Sequence, residues 1–300
     1  MLAGERVRFC TACGTAAGTD WRFCAMCGQR IDVGAPDPSA LRQRLVQALR
    51  DEGAIRTEAV AAAMGGVPRH LFIPDAPIEA AYRNEAVRTK VERGEAVSSA
   101  SQPSIVAIML EQLVVEPGDR VLEIGAGTGY NAALLAHLSG PGGQVISVDI
   151  DDDVVRSAQE HLATADAAGV RVERGDGAAG FAEAAPYDRI IVTAASWDIA
   201  PAWREQLAPD GRLVLPLILA NGQHRSVAFR LEEDRLVSTS IRFCMFMPLR
   251  GALAGPNLRI TALARSYDDV SSDQQVLLRP HTKLVLEETP PPAWRQRPLG

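Results

Sequence analysis

Residues 121–130 read Val121-Leu-Glu-Ile-Gly-Ala-Gly-Thr-Gly-Tyr130: an apolar strand ending in an acid, three glycines at alternate positions, and the start of an Ala/Leu-rich helix. A strand that stops in such a turn lets backbone approach a ligand closely, because glycine has no Cβ and tolerates positive φ. The helix that follows supplies unpaired N–H groups. A second apolar strand, Gln144-Val-Ile-Ser-Val-Asp149, ends about twenty residues further on, where a ribose-binding carboxylate belongs.

The spacing discriminates between cofactors. A dinucleotide fingerprint is Gly-x-Gly-x-x-Gly with a pyrophosphate on the helix N-terminus. Here Gly125, Gly127 and Gly129 alternate, and Glu123 precedes them inside the strand. A carboxylate there repels a pyrophosphate and suits a cation. S-adenosylmethionine carries a sulfonium and an ammonium and no phosphate, so it is expected in preference to a nicotinamide cofactor. A glycine turn that only reverses the chain is the bland alternative, and the two acids weigh against it.

The chain has 300 residues, room for one large domain and a small attachment, and 47% hydrophobic residues supply a core. No segment approaches the roughly eighteen uninterrupted apolar residues of a membrane span, and the N-terminus has no apolar signal-peptide region. A cytoplasmic protein is expected. A net charge of −6 gives no electrostatic reason to bind nucleic acid or anionic lipid.

Four of the five cysteines form two knuckles, Cys10-Thr-Ala-Cys13-Gly and Cys24-Ala-Met-Cys27-Gly, ten residues apart. This is the pattern of one tetrahedral Zn²⁺ with four thiolate ligands, and four thiolates leave no open position for catalysis. Two disulfides are the alternative, disfavoured in a reducing compartment. About thirty residues bury too little apolar area to fold alone, so metal would carry the ribbon's stability. The fifth cysteine, in Phe243-Cys-Met-Phe-Met247, reads as a small buried hydrophobe.

The zinc ribbon is assigned to residues 1–33 and a linker to 34–40, with Asp37 and Pro38 as N-cap and first helical position. Leu41, Leu45 and Leu49 recur at helical spacing. A second helix is expected around Glu58–Met64, and Val67–Pro74 is expected to be extended between its prolines. From 120 onward strands (120–124, 144–149, 170–174, 187–193, 211–217) alternate with helices (128–139, 152–167, 200–207). That alternation predicts an α/β fold, a doubly wound and mostly parallel sheet with helices on both faces. Gly125, Asp149, Asp176 and Thr193 then all fall at the carboxyl ends of strands, where such sheets bind ligands. Val227–Arg230 and Leu236–Phe246 read as further strands, and 252–300 as an extension ending in an extended Thr289-Pro-Pro-Pro292 tail.

Ser98-Ser-Ala-Ser-Gln-Pro103 precedes a long apolar helical run. Free N–H groups at that helix start, with a serine hydroxyl, make an anion site; simple capping by Ser101 or Gln102 is the plainer reading.

Taken together these blocks resemble the protein-L-isoaspartate O-methyltransferase family from about Leu41 to Gly251. The carriers are Val67-Pro-Arg-His-Leu-Phe-Ile-Pro74, Tyr82-Arg-Asn-Glu-Ala86, Ser101-Gln-Pro103, Leu122–Tyr130, Val145–Val148, Gly175-Asp-Gly177, Pro186–Ala195 and Phe246-Met-Pro-Leu249. The resemblance implies a class I S-adenosylmethionine-dependent methyltransferase, Rossmann-like, spanning 41–251. It implies that Ser101 positions the acceptor carboxylate beside Ser99 and Gln102, and that Glu123 and Gly125–Gly129 cradle the methionine end. Asp149 would take the ribose hydroxyls, and Asp176 with Gly177 would face the adenine. An aspartyl or isoaspartyl carboxyl has a pKa of about 3.9 and is already an anion near pH 7. It needs alignment with the methyl and sulfur rather than a base, which leaves His70, His137 and His161 to packing or the surface. The ester formed then closes spontaneously to a succinimide.

Two segments depart from the repair-enzyme pattern, Arg93-Gly-Glu-Ala-Val-Ser-Ser-Ala100 and Ser196-Trp-Asp-Ile-Ala-Pro-Ala-Trp203. They resemble the actinobacterial branch associated with ribosomally made peptides, in which an ordinary precursor aspartate is methylated and closes to an aspartimide. That tailoring role is the leading expectation, with Trp197 narrowing the substrate pocket and the ribbon or extension contacting a leader peptide. Isoaspartyl repair is the alternative, and a donor-binding adaptor without catalysis is a remote one.

Overall fold

The computed structural model describes residues 8–10, 12–18, 21–30, 36–219, 222–232 and 235–255, and the backbone of 275–278 and 282–285. Two short strands, β1 (Arg8–Phe9) and β2 (Ala16–Ala17), pair antiparallel on either side of the first cysteine knuckle. Helix α1 (Pro38–Asp51) starts as expected: Asp37 caps it by accepting from the Ser39 N–H, and Pro38 opens its first turn. Helix α2 (Glu58–Gly66) follows, capped by the Thr57 hydroxyl. Residues 67–74 are not extended throughout: Arg69–Phe72 form a 3₁₀ turn behind Pro68. One tight turn fits between prolines that an α-helix would not tolerate.

After the one-turn helix α3 (Ile78–Ala81) comes an unexpected hairpin, β3 (Val87–Glu92) and β4 (Glu95–Ala100). Its two-residue turn is Arg93-Gly94, both at positive φ, the geometry that matches strand twist. Helix α4 (Pro103–Leu113) leads into the main sheet: β5 (Arg120–Ile124), α5 (Tyr130–Ser139), β6 (Gln144–Asp149), α6 (Asp152–Thr164), β7 (Val170–Arg174), β8 (Tyr187–Val192), α7 (Pro201–Glu205), β9 (Leu207–Ile218), β10 (His224–Glu232) and β11 (Arg235–Phe243). A last pair, β12 (Gln275–Leu278) with β13 (Thr282–Val285), is antiparallel. The expected 289–292 tail and residues 34 and 35 of the linker lie outside the described residues.

The strand order is β11-β10-β9-β8-β5-β6-β7. The five strands from β9 to β7 are parallel, and β10 and β11 are added antiparallel at one edge. Side chains alternate into two cores. Val121, Val145, Ile191 and Val214 face α1, α2, α4, α5 and α6, whereas Leu122, Ile146, Ile190, Leu213 and Leu215 face the other way. Both sets are buried, as a parallel sheet requires. The second face is thinner than expected, covered by α7, two 3₁₀ turns and loop residues around the fully buried Trp203. The chain steps from β5 outward to β6 and β7 and then crosses back to β8 on the other side of β5, so β5 and β8 flank the topological switch point.

Two polar anchors fix α4 against its neighbours. The buried Glu111 carboxylate accepts from the Arg56 and Thr57 N–H groups at 2.8 Å and from the Thr57 hydroxyl at 3.0 Å. Gln112 accepts from the Ser226 hydroxyl at 2.6 Å and donates to the Ser240 hydroxyl at 2.9 Å. Charge-assisted bonds at buried sites are the strong ones, so the helix that follows Ser101 is held rigidly to both the helical layer and the sheet edge. No helix among the described residues is long and apolar enough to cross a membrane.

Candidate functional site

At the carboxyl end of β5 the chain turns through Gly125, Gly127 and Gly129, at φ +99°, +52° and +85°. Two of these positions also lack space. A Cβ on Gly125 would stand 2.5 Å from the Thr193 hydroxyl, and one on Gly129 3.2 Å from the Ala158 carbonyl. Thr193 donates from that hydroxyl to the Gly125 carbonyl at 2.7 Å, locking β8 to the turn. His161 bonds the Thr128 carbonyl from behind at 3.0 Å.

The turn forms the floor of a cavity of about 780 Å³. Glu123, Gly125, Gly127 and Asp149 line it together with Ser99, Ser101, Gln102 and Gly177. Glu123 is fully buried, with Asn131 donating to one oxygen at 2.8 Å and Ser147 to the other. Burial pushes its carboxyl up to about 7 against those two donors. Asp149 accepts from the Gly127 N–H and from the Asp151 N–H, both at 3.2 Å. Burial raises its pKa as well. Each Asp149 oxygen keeps a lone pair for a further donor such as a hydroxyl.

Across the cavity, Gln102 occupies the N-cap of α4 but makes no side-chain capping bond. Asn84, within the Tyr82–Ala86 block, does this instead by accepting from the Ser104 N–H at 2.9 Å. The expected open helix start is therefore partly closed: Pro103 has no N–H and that of Ser104 is taken. No hydrogen bond to a described residue holds the Ser101 hydroxyl, which is left to serve the cavity it lines.

Three expected residues stand apart from the lining. Gly129 sits behind the turn, packed on α6. Asp176 accepts from the Ala178 N–H at 3.0 Å and the Ala252 N–H at 2.7 Å, so its carboxylate braces backbone rather than facing the cavity. Trp197 is half-buried and does not line the cavity. The tryptophan that matters to the wall is Trp203, whose indole N–H donates to the Gly177 carbonyl at 2.7 Å. Gly177 itself must be glycine, since a Cβ would meet Ile124 at 2.3 Å. Asn131, Ser147 and Asn84 are missing from the sequence reading because each acts on another side chain or on backbone, and no local motif marks such a partner.

No histidine lines the cavity. His70 is buried against the Tyr82 hydroxyl at 2.7 Å, and burial pushes its pKa down to about 4. His137 is exposed. Cys244 is buried, its thiol pushed up to about 12.

Away from the cavity, the sulfurs of Cys10, Cys13, Cys24 and Cys27 lie within 4.8 Å of one another. The nearest pairs, Cys10 with Cys27 and Cys13 with Cys24, are 3.4 and 3.5 Å apart. Neither is a disulfide, which requires about 2.05 Å. A tetrahedron of Zn–S bonds of about 2.3 Å places sulfurs roughly 3.8 Å apart, so the cluster fits that ion. N–H groups of Cys27 and Met26 hold the Cys24 thiol down to about 6.

A profile of the family described as protein-L-isoaspartate(D-aspartate) O-methyltransferase matches residues 40–254. The chain is 38% identical over 218 residues to the protein-L-isoaspartate O-methyltransferase of Hyperthermus butylicus, covering 70% of this chain and 88% of that one. With the enzyme of the same name from Methanoculleus marisnigri it shares 43% over 210 residues, covering 70% and 91%. A solved protein-L-isoaspartate O-methyltransferase superposes with a TM-score of 0.65 at 30% identity, over 71% of this chain and 67% of the other. A Plasmodium falciparum structure in complex with S-adenosyl-L-homocysteine shares the fold, with a TM-score of 0.60 at 20% identity over 70% and 98%. A doubly wound sheet with a glycine turn and two acids at its switch point, matched over most of its length by these proteins, makes this chain a member of the protein-L-isoaspartate O-methyltransferase family, S-adenosylmethionine-dependent enzymes.

Proposed function

We propose that this protein transfers a methyl group from S-adenosylmethionine to the free carboxylate of an isoaspartyl residue in a peptide or protein. The observation that carries the reading is Ser101, whose hydroxyl no described residue engages, lining one cavity together with Glu123, Gly125, Gly127 and Asp149. The donor fits the residues present. Gly127 leaves room where a side chain would stand, Glu123 offers negative charge to an ammonium, and Asp149 offers lone pairs to ribose hydroxyls. S-adenosylmethionine supplies an electrophilic methyl on a sulfonium. The chain's own residues orient the acceptor and keep water out, and orientation alone is worth roughly 7–11 kcal/mol. No general base is needed, in keeping with a cavity that has no histidine. Adenine recognition falls to the Ile150 and Leu249 side of the cavity, since Asp176 is turned away.

Relatives at 38% and 43% identity carry the isoaspartyl name, which turns the reading away from tailoring of a precursor aspartate. Trp197, one support for tailoring, does not border the cavity; the hairpin formed by 87–100 remains the feature that favours an unusual acceptor. The domain division proposed is a ribbon over 1–33, a linker over 34–40, the catalytic domain over 41–251 and an extension beyond. The four thiolates are proposed to hold one structural Zn²⁺.

The deciding assay offers labelled donor with an isoaspartyl peptide and, in parallel, with its aspartyl twin. Label is expected on the first; label on the second alone would assign tailoring, and none on either would leave an adaptor. Ser101→Ala is expected to lower kcat/KM about 10- to 100-fold, the worth of one hydrogen bond to a charged group. Its donor Kd should stay within about twofold. Asp149→Ala is expected to raise that Kd by about tenfold or more.

Donor affinity should also depend on pH. Glu123 titrates near 7 in the free protein and must be ionised to meet a cation, so binding should strengthen from pH 5.5 to 7 with proton release. Folding stability runs the opposite way. The folded pKa lies above the unfolded one, so stability falls as pH rises from about 4.5 to about 7. Calorimetry in two buffers of different ionisation enthalpy reads the released proton, and Glu123→Gln should abolish it. Elemental analysis is expected to find one zinc per chain in the wild type and none in Cys24→Ser.

A further inference from the structure

Asp151 stands at the N-cap of α6, where an aspartate ordinarily accepts from N–H groups of the first turn, yet its side chain makes no such bond. Its carboxylate is turned outward to two cations from distant parts of the chain. Arg250, just beyond the Phe246–Leu249 segment, grips it with both terminal nitrogens at 3.1 and 2.7 Å. Lys90, on β3 of the hairpin, reaches it at 3.0 Å and also contacts Asp153 at 3.0 Å and Glu92 at 2.9 Å. Giving up a cap for a three-way ionic junction calls for a reason.

The position of the junction supplies one. The hairpin is the wall over the glycine turn: residues 96–100 of β4 line the cavity, and the Ser99 carbonyl lies 3.8 Å from the point where a Gly127 Cβ would stand. Arg250 lines the same cavity from the other side. Asp151 donates its own N–H to Asp149, whose other oxygen takes the Gly127 N–H. One residue thus ties the hairpin and the post-β11 segment through its carboxylate, and the ribose-facing acid through its backbone N–H. Outside it, Lys90 and Arg250 are partly exposed, with side chains 22% and 40% accessible.

We propose that Lys90, Asp151 and Arg250 form a clasp that holds the hairpin down over the bound donor and sets the rate at which donor and demethylated product exchange. This rests on the reading that the cavity takes S-adenosylmethionine. The three are positioning residues: they act through the hairpin and through Asp149 and touch no reacting atom. Ion pairs that keep some contact with solvent, as these do, are still weakened by salt, though less than fully exposed ones, which suits a fastening that must open on each turnover.

The test loads the full chain with S-adenosylhomocysteine and chases with excess labelled S-adenosylmethionine, timing the exchange. Lys90→Met is expected to speed dissociation about fivefold or more at low salt, with Lys90→Arg restoring the wild-type rate. Raising salt from about 0.05 to about 0.5 M should speed exchange in the wild type and change it little in Lys90→Met. Arg171→Met, which breaks a surface pair with Glu173 on β7 far from the hairpin, should exchange as wild type does. Wild-type exchange in Lys90→Met, or equal acceleration in Arg171→Met, would overturn the clasp while leaving the donor site intact. Failure of any variant, wild type included, to take up donor would overturn the site itself and the clasp with it.

Discussion

The hydrogen bond from the Gly127 N–H to the Asp149 carboxylate is the joint on which the rest of the site depends. It links the turn after β5 to the end of β6, at a residue whose positive φ favours glycine. On one side of the joint, Thr193 ties β8 to Gly125; on the other, Asp151 ties the start of α6 to Asp149. Three parallel strands therefore present their carboxyl ends as one rigid edge. A cation and a diol can be read by such an edge without any side chain having to move.

Much of this was legible because strand ends in a parallel sheet are punctuated. Leu122–Tyr130 and Gln144–Asp149 announce themselves by apolar runs that stop at an acid or a glycine, and the observed strands begin and end where those runs do. The resemblance singled out Ser101 from three residues, and Ser101 is among the residues that line the cavity. The hairpin of 87–100 was hidden because its strands alternate poorly: β3 is exposed at most positions, with Arg, Lys and Glu among them. Only Arg93-Gly94 marked the turn, and an Arg-Gly pair is a weak signal beside Asn-Gly or Asp-Gly.

Asp176 and Trp197 lie apart from the cavity lining, although each sits in a segment that adjoins it. The Asp176 carboxylate closes on the Ala252 N–H, 76 residues away. Trp203, rather than Trp197, fills the thin second core because α7 turns it inward beneath Gly177. Periodicity shows which face a residue shares with its neighbours; it does not reveal which of two nearby tryptophans meets a carbonyl on another loop. The ribbon was legible for the reverse reason, since four cysteines at knuckle spacing bring their own geometry with them.

The most direct test of the central idea is a crystal structure of the full chain grown with S-adenosylhomocysteine. The expected density places the ribose hydroxyls on Asp149 and the methionyl ammonium beside Glu123, with the sulfur directed toward Ser101 across the cavity. Density for the ligand elsewhere, or a ribose that leaves Asp149 bonded only to Gly127 and Asp151, would contradict it.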